Sequence, residues 1–497
     1  MIWVWMALTG CSSKVSWESC ESTQDRLSAG MQLVGTKGSD HFGQAIATGD
    51  VDGDGLDDLL VGSPYYDPTA DSSFNAGMVT LFLGSTLAGG GSLVDTDAAL
   101  TIYGIDEMAG LGSSVGLSDV DGDGLADLWI GAHQGETSGQ DTGLVHLFYG
   151  ANLQGSLSGS SLQSTDADLM LVGEGNYDYA GFAMSNAGDV DGDKLDDWLI
   201  GAHQADAEKE DVGKTYLVLA KTIAGLSGEQ SLSNADSIFV GTHESDFSGY
   251  SVTGGVDVDK DGLSDILIGA GNRDSNGADS GAAYLFLGDS IGKGSMSLLQ
   301  ADLVLSGSAE GDWAGRQVVA IPSADRNRRG DWAISSSWND DAGNNAGKVS
   351  IVTGEQIWDA MQSGEDYLSL SGAAVTITGA EQEAFLGQTL AVGDLDGDRY
   401  SDLLIGSPLH DSGVGADAGV VHLFFGKDWQ GSLDKGLLSS DDAPSILVGA
   451  NAYDGVGTGL TVGDMDGDGV DEAIVGVPYA DESDLDAGGV SIFWGCD

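Results

Sequence analysis

A short acidic segment recurs along the chain. The first copy, residues 50 to 58, reads DVDGDGLDD, and close variants begin at residues 119, 189, 257, 394 and 464. Such a run places several carboxylates and backbone carbonyls close together, and Ca²⁺ takes about six to eight oxygen ligands of this kind. Without a cation, converging carboxylates would repel each other strongly. The segment therefore predicts a calcium-binding loop that occurs about six times.

The predicted ligands occupy the same positions in every loop. The acids at positions one, three, five and nine are expected to bind through their carboxylates, and the residue at position seven through its backbone carbonyl. Glycines at positions four and six permit the tight, partly left-handed path that brings these oxygens together. The ligands predicted in this way are Asp50, Asp52, Asp54, Leu56, Asp58, Asp119, Asp121, Asp123, Leu125, Asp127, Asp189, Asp191, Asp193, Leu195, Asp197, Asp257, Asp259, Asp261, Leu263, Asp265, Asp394, Asp396, Asp398, Tyr400, Asp402, Asp464, Asp466, Asp468, Val470 and Glu472.

Two alternatives compete with this interpretation. An EF-hand loop starts similarly, but it needs a carboxylate at position twelve and a helix on each side. Position twelve of the first copy is Val61, inside an apolar run, which excludes an EF-hand. A solvated acidic turn that binds no metal is the second alternative, and it leaves the mutual repulsion of the acids uncompensated.

The loops are not expected to bind calcium equally well. Lys194 and Arg399 replace the second glycine of the loops that begin at 189 and 394, which adds backbone strain and a competing positive charge. A degenerate copy, SADRNRRGD, begins at Ser323; it has lost the first acid and gained three arginines. We predict that this copy binds no metal.

The spacing of the loops reveals a long repeat. Successive copies are almost evenly spaced, except for one interval of about double length, between the copies at 257 and 394, that contains the degenerate copy. Each unit holds four β-branched or aromatic runs bounded by turn residues, such as DLLVG at 58 to 62, and a longer polar linker precedes the fourth run. Four short strands repeated seven times predict an all-β fold, a seven-bladed β-propeller with four-stranded blades.

The two ends of the repeat array complement each other. The last unit ends after its third strand, in GGVSIFWGCD, whereas MQLVG at 31 to 35 has the pattern of a fourth strand and precedes the first unit. We therefore predict that the N-terminal strand completes the last blade and removes two open edges. The propeller would then span residues 31–497.

The residues before the propeller suggest export. Leu8-Thr9-Gly10-Cys11 resembles a bacterial lipobox, which predicts a signal segment at 1–10 and a tether at 11–30 with Cys11 lipidated. An ordinary apolar N-terminus on a cytosolic protein is the alternative, because no Lys or Arg precedes the run. We expect a lipoprotein at the bacterial outer membrane or cell surface, which meets the membrane only through its anchor. A disulfide between Cys20 and Cys496, at opposite ends of the folded region, is also predicted.

The repeat resembles a known family. The Phe-Gly turn, the acidic loop and the Gly-Ser-Pro end of the second strand, as in VGSP at 61 to 64 and IGSP at 405 to 408, are similar to FG-GAP repeats of integrin α-subunit propellers. The resemblance covers about residues 31–497 and implies a calcium-binding adhesion module. Six intact loops exceed the number that integrins usually carry, and integrin leg domains and a membrane helix are absent from the sequence. Signalling through a β partner is therefore not expected.

Charge and histidine placement narrow the function further. A net charge of −61 without a basic patch argues against nucleic acid and anionic lipid as partners. His133 and His203 occupy equivalent repeat positions, as do His146 and His422, so we interpret them as structural and expect no catalysis. The predicted function is a monomeric binding module for an unidentified protein or glycan. A polysaccharide lyase or hydrolase on a propeller and a purely structural surface protein are the alternatives.

The ligand is predicted to bind on the face opposite the calcium loops. In an antiparallel blade, the loops between strands two and three and those between blades emerge together on that face. These segments differ among the units, and variable loops on a rigid scaffold commonly carry function. The aromatic residues proposed to contact the ligand are Tyr65, Tyr66, Tyr177, Tyr179, Phe247 and Trp313.

Overall fold

A computed structural model of the chain describes residues 30–67, 75–137, 139–322, 329–413, 415–427, 436–481 and 483–495. Cys11, Cys20 and Cys496 lie outside these residues, so the lipid anchor and the disulfide remain predictions. The described residues form seven sheets arranged in a ring, which confirms the seven-bladed propeller. The first strands of neighbouring blades contact each other all the way round, so they line the centre.

Each blade contains four antiparallel strands, which follow one another in the chain in every blade except blade 7. The first strands are Ala45–Gly49, Ser114–Ser118, Ala183–Gly188, Ser251–Val256, Val318–Ile321, Thr389–Gly393 and Gly459–Gly463. The second strands are Asp58–Ser63, Asp127–Ala132, Asp197–Ala202, Asp265–Ala270, Asp331–Ser336, Asp402–Ser407 and Glu472–Val477. The third strands are Met78–Phe82, Leu144–Phe148, Lys214–Val218, Ala282–Phe286, Lys348–Val352, Val420–Phe424 and Gly489–Phe493. The fourth strands are Leu100–Tyr103, Leu169–Val172, Ser237–Val240, Leu303–Ser306, Val375–Thr378, Ser445–Val448 and, for blade 7, Met31–Val34.

The prediction of ring closure by the N-terminal strand is confirmed. Met31–Val34 pairs antiparallel with Gly489–Phe493, and Met31 lies opposite Ile492. Seven hydrophobic clusters make up the core, and each is shared by two neighbouring blades, including blades 7 and 1. A blade cannot bury its two faces alone, so closure covers apolar surface that an open array would expose to water.

The blades have more strands than the sequence predicted. In six blades, a fifth strand pairs in parallel with the fourth strand, and it comes from the linker between strands three and four of the following blade. The linker interpreted as merely polar is therefore an interblade strand. On blades 1 to 5 and on blade 7, these strands are Ser160–Gln163, Gly228–Ser231, Gly294–Ser297, Tyr367–Ser369, Leu437–Ser439 and Gly91–Val94.

Helical structure is confined to short connections. The α-helices of the described residues follow third strands, at Gly84–Leu87, Gly150–Leu153, Ala220–Ile223 and Gly354–Ser363. None of these helices is both long and apolar enough to cross a lipid bilayer.

The recurrent glycines allow neighbouring blades to approach closely. The N–H of Gly43, in the Phe-Gly turn, donates to the carbonyl of Gly62 at the end of the second strand (3.1 Å). A Cβ on Gly62 would lie 2.1 Å from the carbonyl oxygen of Gly112, in the Phe-Gly-like turn of the next blade. Because real atoms do not approach so closely, the second-strand glycine is required by packing between blades.

Candidate metal centres

The first acid of each loop organises the loop backbone. Asp50 Oδ1 accepts a hydrogen bond from the Gly53 N–H (2.7 Å), and Oδ2 accepts one from the Gly55 N–H (2.9 Å). The loop at 464 repeats both bonds, with Asp464 as the acceptor. A carboxylate that gathers successive N–H groups in this way curls the chain around itself, which turns the following acids towards one point.

The last acid of each loop is buried at the start of the second strand. Asp58 is fully buried; its Oδ2 accepts from the Val51 N–H and its Oδ1 from the Gly84 N–H, both at 2.8 Å. Burial raises the pKa of Asp58 to about 7. The corresponding acids repeat this: burial raises the pKa to about 7 for Asp127, Asp197 and Asp265, and to about 8 for Asp402 and Glu472. A buried acid whose ionisation is this costly is suited to a cation that would keep it ionised.

The predicted side-chain ligands converge in the folded chain. In four loops, oxygens of the acids at positions one, three and nine lie within 4.8 Å of one another: Asp50, Asp52 and Asp58; Asp119, Asp121 and Asp127; Asp189, Asp191 and Asp197; and Asp257, Asp259 and Asp265. These are hard oxygen donors spaced as a divalent cation such as Ca²⁺ requires. The acid at position five turns one oxygen towards the loop, as Asp54 Oδ1 accepts from the Leu56 N–H (3.0 Å). Ligation by the carbonyl at position seven stays a prediction.

Two loops are each contacted by a lysine that lies outside the loop and was not predicted from the sequence. The Lys221 ammonium contacts the Asp191 carboxylate, and Lys427 Nζ lies 3.0 Å from Asp396 Oδ2. Both lysines directly follow the residue that donates to the last acid of the loop. The same two loops carry Lys194 and Arg399, whose backbones have positive φ angles of 74° and 67°. A competing ammonium therefore adds to the weakness expected of these loops.

The position held by Lys221 and Lys427 differs among the blades. We call it the loop-contact position, because both lysines contact the acid at position three of the loop in their own blade. Ser85 and Ala151 occupy it in blades 1 and 2, whereas Asp289 occupies it in blade 4. Asp289 groups with Asp259 and Asp261 within 4.8 Å. Alignment of the repeats on the residue after the third strand would have revealed this position.

Neighbouring loops are hydrogen-bonded to each other. The Ala126 N–H of blade 2 donates to the Asp50 carbonyl of blade 1 (2.7 Å), and the Asp57 N–H donates to the Asp464 carbonyl across the closure (3.0 Å). Side chains also meet, because a Cβ on Gly53 would lie 2.8 Å from the Leu125 side chain. Loops of adjacent blades are therefore linked to each other on one face of the propeller.

The degenerate loop departs from this pattern where it is described. Asp331 still accepts from the Gly354 N–H (2.7 Å) at the start of the second strand. Arg329 lies 3.4 Å from Glu355 and stacks 4.5 Å from the ring of Trp358. Residues 323–328 are outside the description, so the absence of metal from this loop remains a prediction.

Three of the six predicted ligand-face residues share one repeat position on the opposite face. Tyr179, Phe247 and Trp313 each open the Phe-Gly-like turn and have left-handed φ angles of 56°, 50° and 56°. The ring centroids of Tyr179 and Phe247 both lie 6.1 Å from that of His203, and Trp313 stacks on Trp338 with their ring centroids 5.1 Å apart. Non-glycine residues adopt this backbone rarely, so the surrounding packing must maintain it.

The other three candidates lie apart from that row. Tyr65 is 40% exposed and packs 4.6 Å from the ring of His41. Tyr66 packs against Tyr103 at 5.6 Å, and Tyr177 is 47% exposed, with its hydroxyl 2.5 Å from Gln140 Oε1. The structure therefore places the six aromatic residues in separate groups on the face.

The histidines at repeated positions have the environment of structural residues. Burial lowers the pKa of His133 and His146 to about 4, and that of His203 and His422 to about 3. A neutral imidazole with so low a pKa is a weak base near neutral pH, where general bases work best with a pKa close to the operating pH.

Comparison with known families identifies the repeat. The FG-GAP repeat family matches residues 42–82, 111–148, 248–286 and 386–424. These segments run from the Phe-Gly turn to the end of the third strand in blades 1, 2, 4 and 6. The other blades share the same strand order.

Curated relatives include integrins and an enzyme. The chain is 30% identical over 208 residues to integrin alpha-PS2 of Drosophila melanogaster, which is 41% of this chain and 14% of that protein. It is 33% identical over 180 residues to human integrin alpha-IIb, covering 35% and 16%. It is 28% identical over 257 residues to a phosphatidylinositol-glycan-specific phospholipase D of Dictyostelium discoideum, covering 49% and 25%. The matches therefore span a quarter or less of these relatives.

Solved structures with a similar arrangement are distant in sequence. A structure of BBS1N in complex with ARL6DN aligns over 90% of both chains with a TM-score of 0.45 and 10% identity. The rhamnogalacturonan lyase PL11 of Bacillus licheniformis aligns over 93% of this chain and 74% of that one, with a TM-score of 0.41 and 11% identity. On the repeat matches, the relatives and the seven blades, the chain is an FG-GAP repeat propeller similar to the propellers of integrin α subunits.

Proposed function

We propose that the protein is a calcium-binding extracytoplasmic propeller that binds a protein or glycan at the cell surface. The observation that carries this proposal is the ring of acidic loops, built around buried carboxylates, on one face of a closed scaffold. The FG-GAP matches include the loops at 50, 119, 257 and 394, and the integrin relatives support a binding role.

Calcium would serve the fold and not a reaction. It would neutralise the converging acids of a loop and fix the loop to its second strand through the last acid. Because the last acid also accepts an N–H from just after the third strand, as in Asp58 and Gly84, one ion would brace three strands of a blade. The hydrogen bonds between loops would pass this support to the neighbouring blade.

The ligand would bind the face of the Phe-Gly turns. Exposed aromatic side chains such as Tyr65 and Tyr177 offer apolar surface and polar groups there. The chain as a whole is strongly acidic, with 79 acidic and 18 basic residues. A basic partner, or one bridged through a further calcium ion, fits that charge.

Calorimetric titration of the chelator-treated protein tests the metal sites. We expect about six calcium ions per chain and weaker binding of magnesium, because these flexible loops supply several carboxylates. The loops at 189 and 394 should release their ions first on dilution of calcium. Fewer than four sites would contradict the proposal.

Binding of the calcium-loaded protein to protein and glycan arrays tests the partner. Tyr177→Ala should abolish a specific signal and leave the folded protein intact. Tyr367→Ala is a matched control, because Tyr367 is 60% exposed but lies on a fifth strand at the outer edge of blade 4. Equal loss of binding in both variants would show that the predicted face is not the site.

An enzyme is the alternative that the relatives keep open, because one of them is a phospholipase D. The protein should therefore be incubated with glycosylphosphatidylinositol-anchored substrates and with acidic polysaccharides, and the products separated. Turnover that survives chelation and is saturable would replace the binding-module proposal.

Attachment to the membrane is proposed to depend on Cys11. Cys11→Ser should move the protein from the membrane to the soluble fraction while the propeller stays folded. A variant that still fractionates with lipid would disprove the lipobox interpretation.

A further inference from the structure

Blade 6 holds two histidine side chains close together in its interior. His422 lies on the third strand, and His410 lies in the connection between the second and third strands. Their ring centroids are 6.0 Å apart, and the two rings are inclined at 62°. His422 is 4% exposed, and the side chain of His410 is 16% exposed. Blade 6 therefore contains a largely buried site with two imidazole rings.

Three nitrogens of this pair have no hydrogen-bond partner among the residues that the structure describes. They are Nδ1 of His410 and both ring nitrogens of His422, and all three atoms are buried. The backbone of Ser440 lies beside the His422 ring and only partly offsets the effect of burial on its pKa. Buried polar atoms are usually paired, so these nitrogens require a physical explanation.

The same two repeat positions are in direct contact in blade 4. Arg273 stands there in the place of His410, because the carbonyl of each accepts the N–H of the glycine that precedes the third strand. Tyr284 stands in the place of His422, as the third residue of the third strand. Arg273 Nε donates to the Tyr284 hydroxyl (3.2 Å). Side chains at these two positions can therefore reach a common point.

Blade 6 lacks the acid that accompanies these positions in blades 4 and 5. Asp246 lies 3.8 Å from Arg273 in blade 4, and in blade 5 Asp312 accepts a hydrogen bond from Asn339 at the same repeat position (2.8 Å). Both acids lie three residues before the glycine of a Phe-Gly-like turn, and the corresponding residue of blade 6 is Ala384. In blade 6, two imidazoles thus face a turn position that offers them no carboxylate.

Carboxylates approach the pair from other segments. Glu381 Oε2 lies 2.9 Å from His410 Nε2. A carboxylate at this nitrogen favours a proton there, which leaves the lone pair on Nδ1, the nitrogen without a partner. Burial lowers the pKa of His410, and the carboxylates of Asp411 and Asp441 oppose that effect. Acids are therefore available both to orient one imidazole and to complete a coordination shell.

The donor atoms suit a transition-metal ion better than calcium. Imidazole nitrogens are good ligands for Zn²⁺, Cu²⁺ and Ni²⁺, whereas Ca²⁺ takes oxygen ligands. Zn²⁺ binds imidazole nitrogens at about 2.0–2.1 Å, so the ring centroids of two histidines on one ion lie roughly 5–6.5 Å apart. The observed 6.0 Å falls in this range. Burial also lowers the pKa of His422 to about 3, which keeps the ring in the neutral form that binds metals.

We propose that His410 and His422 together bind one transition-metal ion, such as Zn²⁺, inside blade 6. His410 binds through Nδ1, and Glu381 holds that ring by its other nitrogen. His422 binds through one of its ring nitrogens, and a carboxylate of the nearby Asp411 and Asp441, with water, completes the shell. The ion fixes the connection between the second and third strands to the third strand, and it uses none of the acids of the repeated loops.

Calorimetric titration of the full chain with Zn²⁺, in buffer saturated with calcium, tests the proposal. The unaltered protein should bind one Zn²⁺ that His410→Ala loses. The loss of affinity should be at least about 100-fold, and that of Glu381→Gln about tenfold, because outer-shell partners alone contribute 10–100-fold. Zn²⁺ bound by the acidic loops would persist in His410→Ala, so the outcome does not depend on whether those loops bind calcium.

His146→Ala is the matched control for His410→Ala. His146 holds the place of His422 on the third strand of blade 2 and is 3% exposed, but Gly135 stands there in the place of His410. Its replacement should leave Zn²⁺ binding unchanged. No Zn²⁺ site in the unaltered protein, full binding by His410→Ala, or an equal loss in His146→Ala would overturn the proposal.

Thermal unfolding gives a second measurement that does not rely on the heat of binding. Zn²⁺ should raise the melting temperature of the unaltered protein and of His146→Ala, because a ligand that binds only the folded state stabilises it. It should leave the melting temperature of His410→Ala unchanged. A rise of the same size in His410→Ala would show that Zn²⁺ binds elsewhere and would overturn the assignment.

Discussion

On both faces of the propeller the backbone conformation repeats from blade to blade, but the side chains repeat on one face and vary on the other. On the face of the acidic loops, the same acids recur at the same positions, and Asp50 and Asp464 accept hydrogen bonds from the equivalent N–H groups of their loops. On the face of the Phe-Gly turns, the backbone recurs with equal regularity, while one repeated position holds Tyr179, Phe247 or Trp313. Side chains that repeat therefore indicate a function common to all the loops. Side chains that vary indicate the face that could bind a specific partner.

Of the changes considered, removal of calcium should have the largest effect on the stability of the protein. A site held at 100 times its dissociation constant contributes about 2.7 kcal/mol to the free energy of unfolding, and several sites are involved. Chelation should therefore lower the melting temperature strongly, as measured by calorimetry. Restored calcium should reverse the change. An unchanged melting temperature would show that the face of the acidic loops folds without metal.

Gly62→Ala, at the opposite face, should lower the free energy of unfolding of the protein by about 1–3 kcal/mol, which is the usual cost of overpacking. The new methyl group would meet the Gly112 carbonyl of the next blade. Denaturant unfolding should show the same loss with calcium and with chelator, because the contact is far from the acidic loops.

Gly155→Ala is the control for Gly62→Ala, since a Cβ there meets no atom within 4 Å. A loss of stability for Gly62→Ala that disappeared on chelation would mean that the two faces are coupled.

Lys221→Ala should strengthen calcium binding by the loop at 189. The lysine contacts Asp191 but is about half exposed, and exposed ion pairs contribute about 0.2–1 kcal/mol, so the gain should not exceed about fivefold. Calorimetric titration measures the affinity. Lys209→Ala is the matched control, because Lys209 Nζ donates to the Thr242 carbonyl, away from the loop. A similar gain in calcium affinity in both variants would show that the gain comes from the change in net charge and not from the loss of the contact with Asp191.

Tyr177→Ala should have the smallest effect on stability. Exposed side chains usually change the free energy of unfolding by about 0.5 kcal/mol or less, and Tyr177 is 47% exposed. Trp313→Ala should cost more, because it removes the stacking on Trp338. Thermal unfolding compares the two. If Tyr177→Ala unfolded the protein, the tyrosine would be a packing residue and no candidate for ligand contact.

The acidic loops and the ring closure were predictable because their signals are local or periodic. The acids of one loop lie within a single nonapeptide, and the even spacing of the loops counts the blades. The missing fourth strand of the last unit then identified Met31–Val34 as its partner, as the pairing with Gly489–Phe493 confirms.

The fifth strands escaped prediction for a physical reason. Ser160–Gln163 and Gly228–Ser231 have no clear apolar alternation, because their strand conformation comes from parallel pairing with the preceding blade. A short polar segment carries no signal of its own in such a case. The contacts of the lysines at the loop-contact position were not predicted for a related reason, since Lys221 and Asp191 are separated in the chain by two strands of the blade.

The sequence by itself determined the number of blades, the place of closure and the acids of each loop, because these depend on repetition and short-range spacing. Only the tertiary structure decided which strand covers the preceding blade, which loops are contacted by a competing lysine and which aromatic residues meet. These contacts join segments that are distant in the chain, and their energies depend on burial and distance, which exist only once the ring has closed.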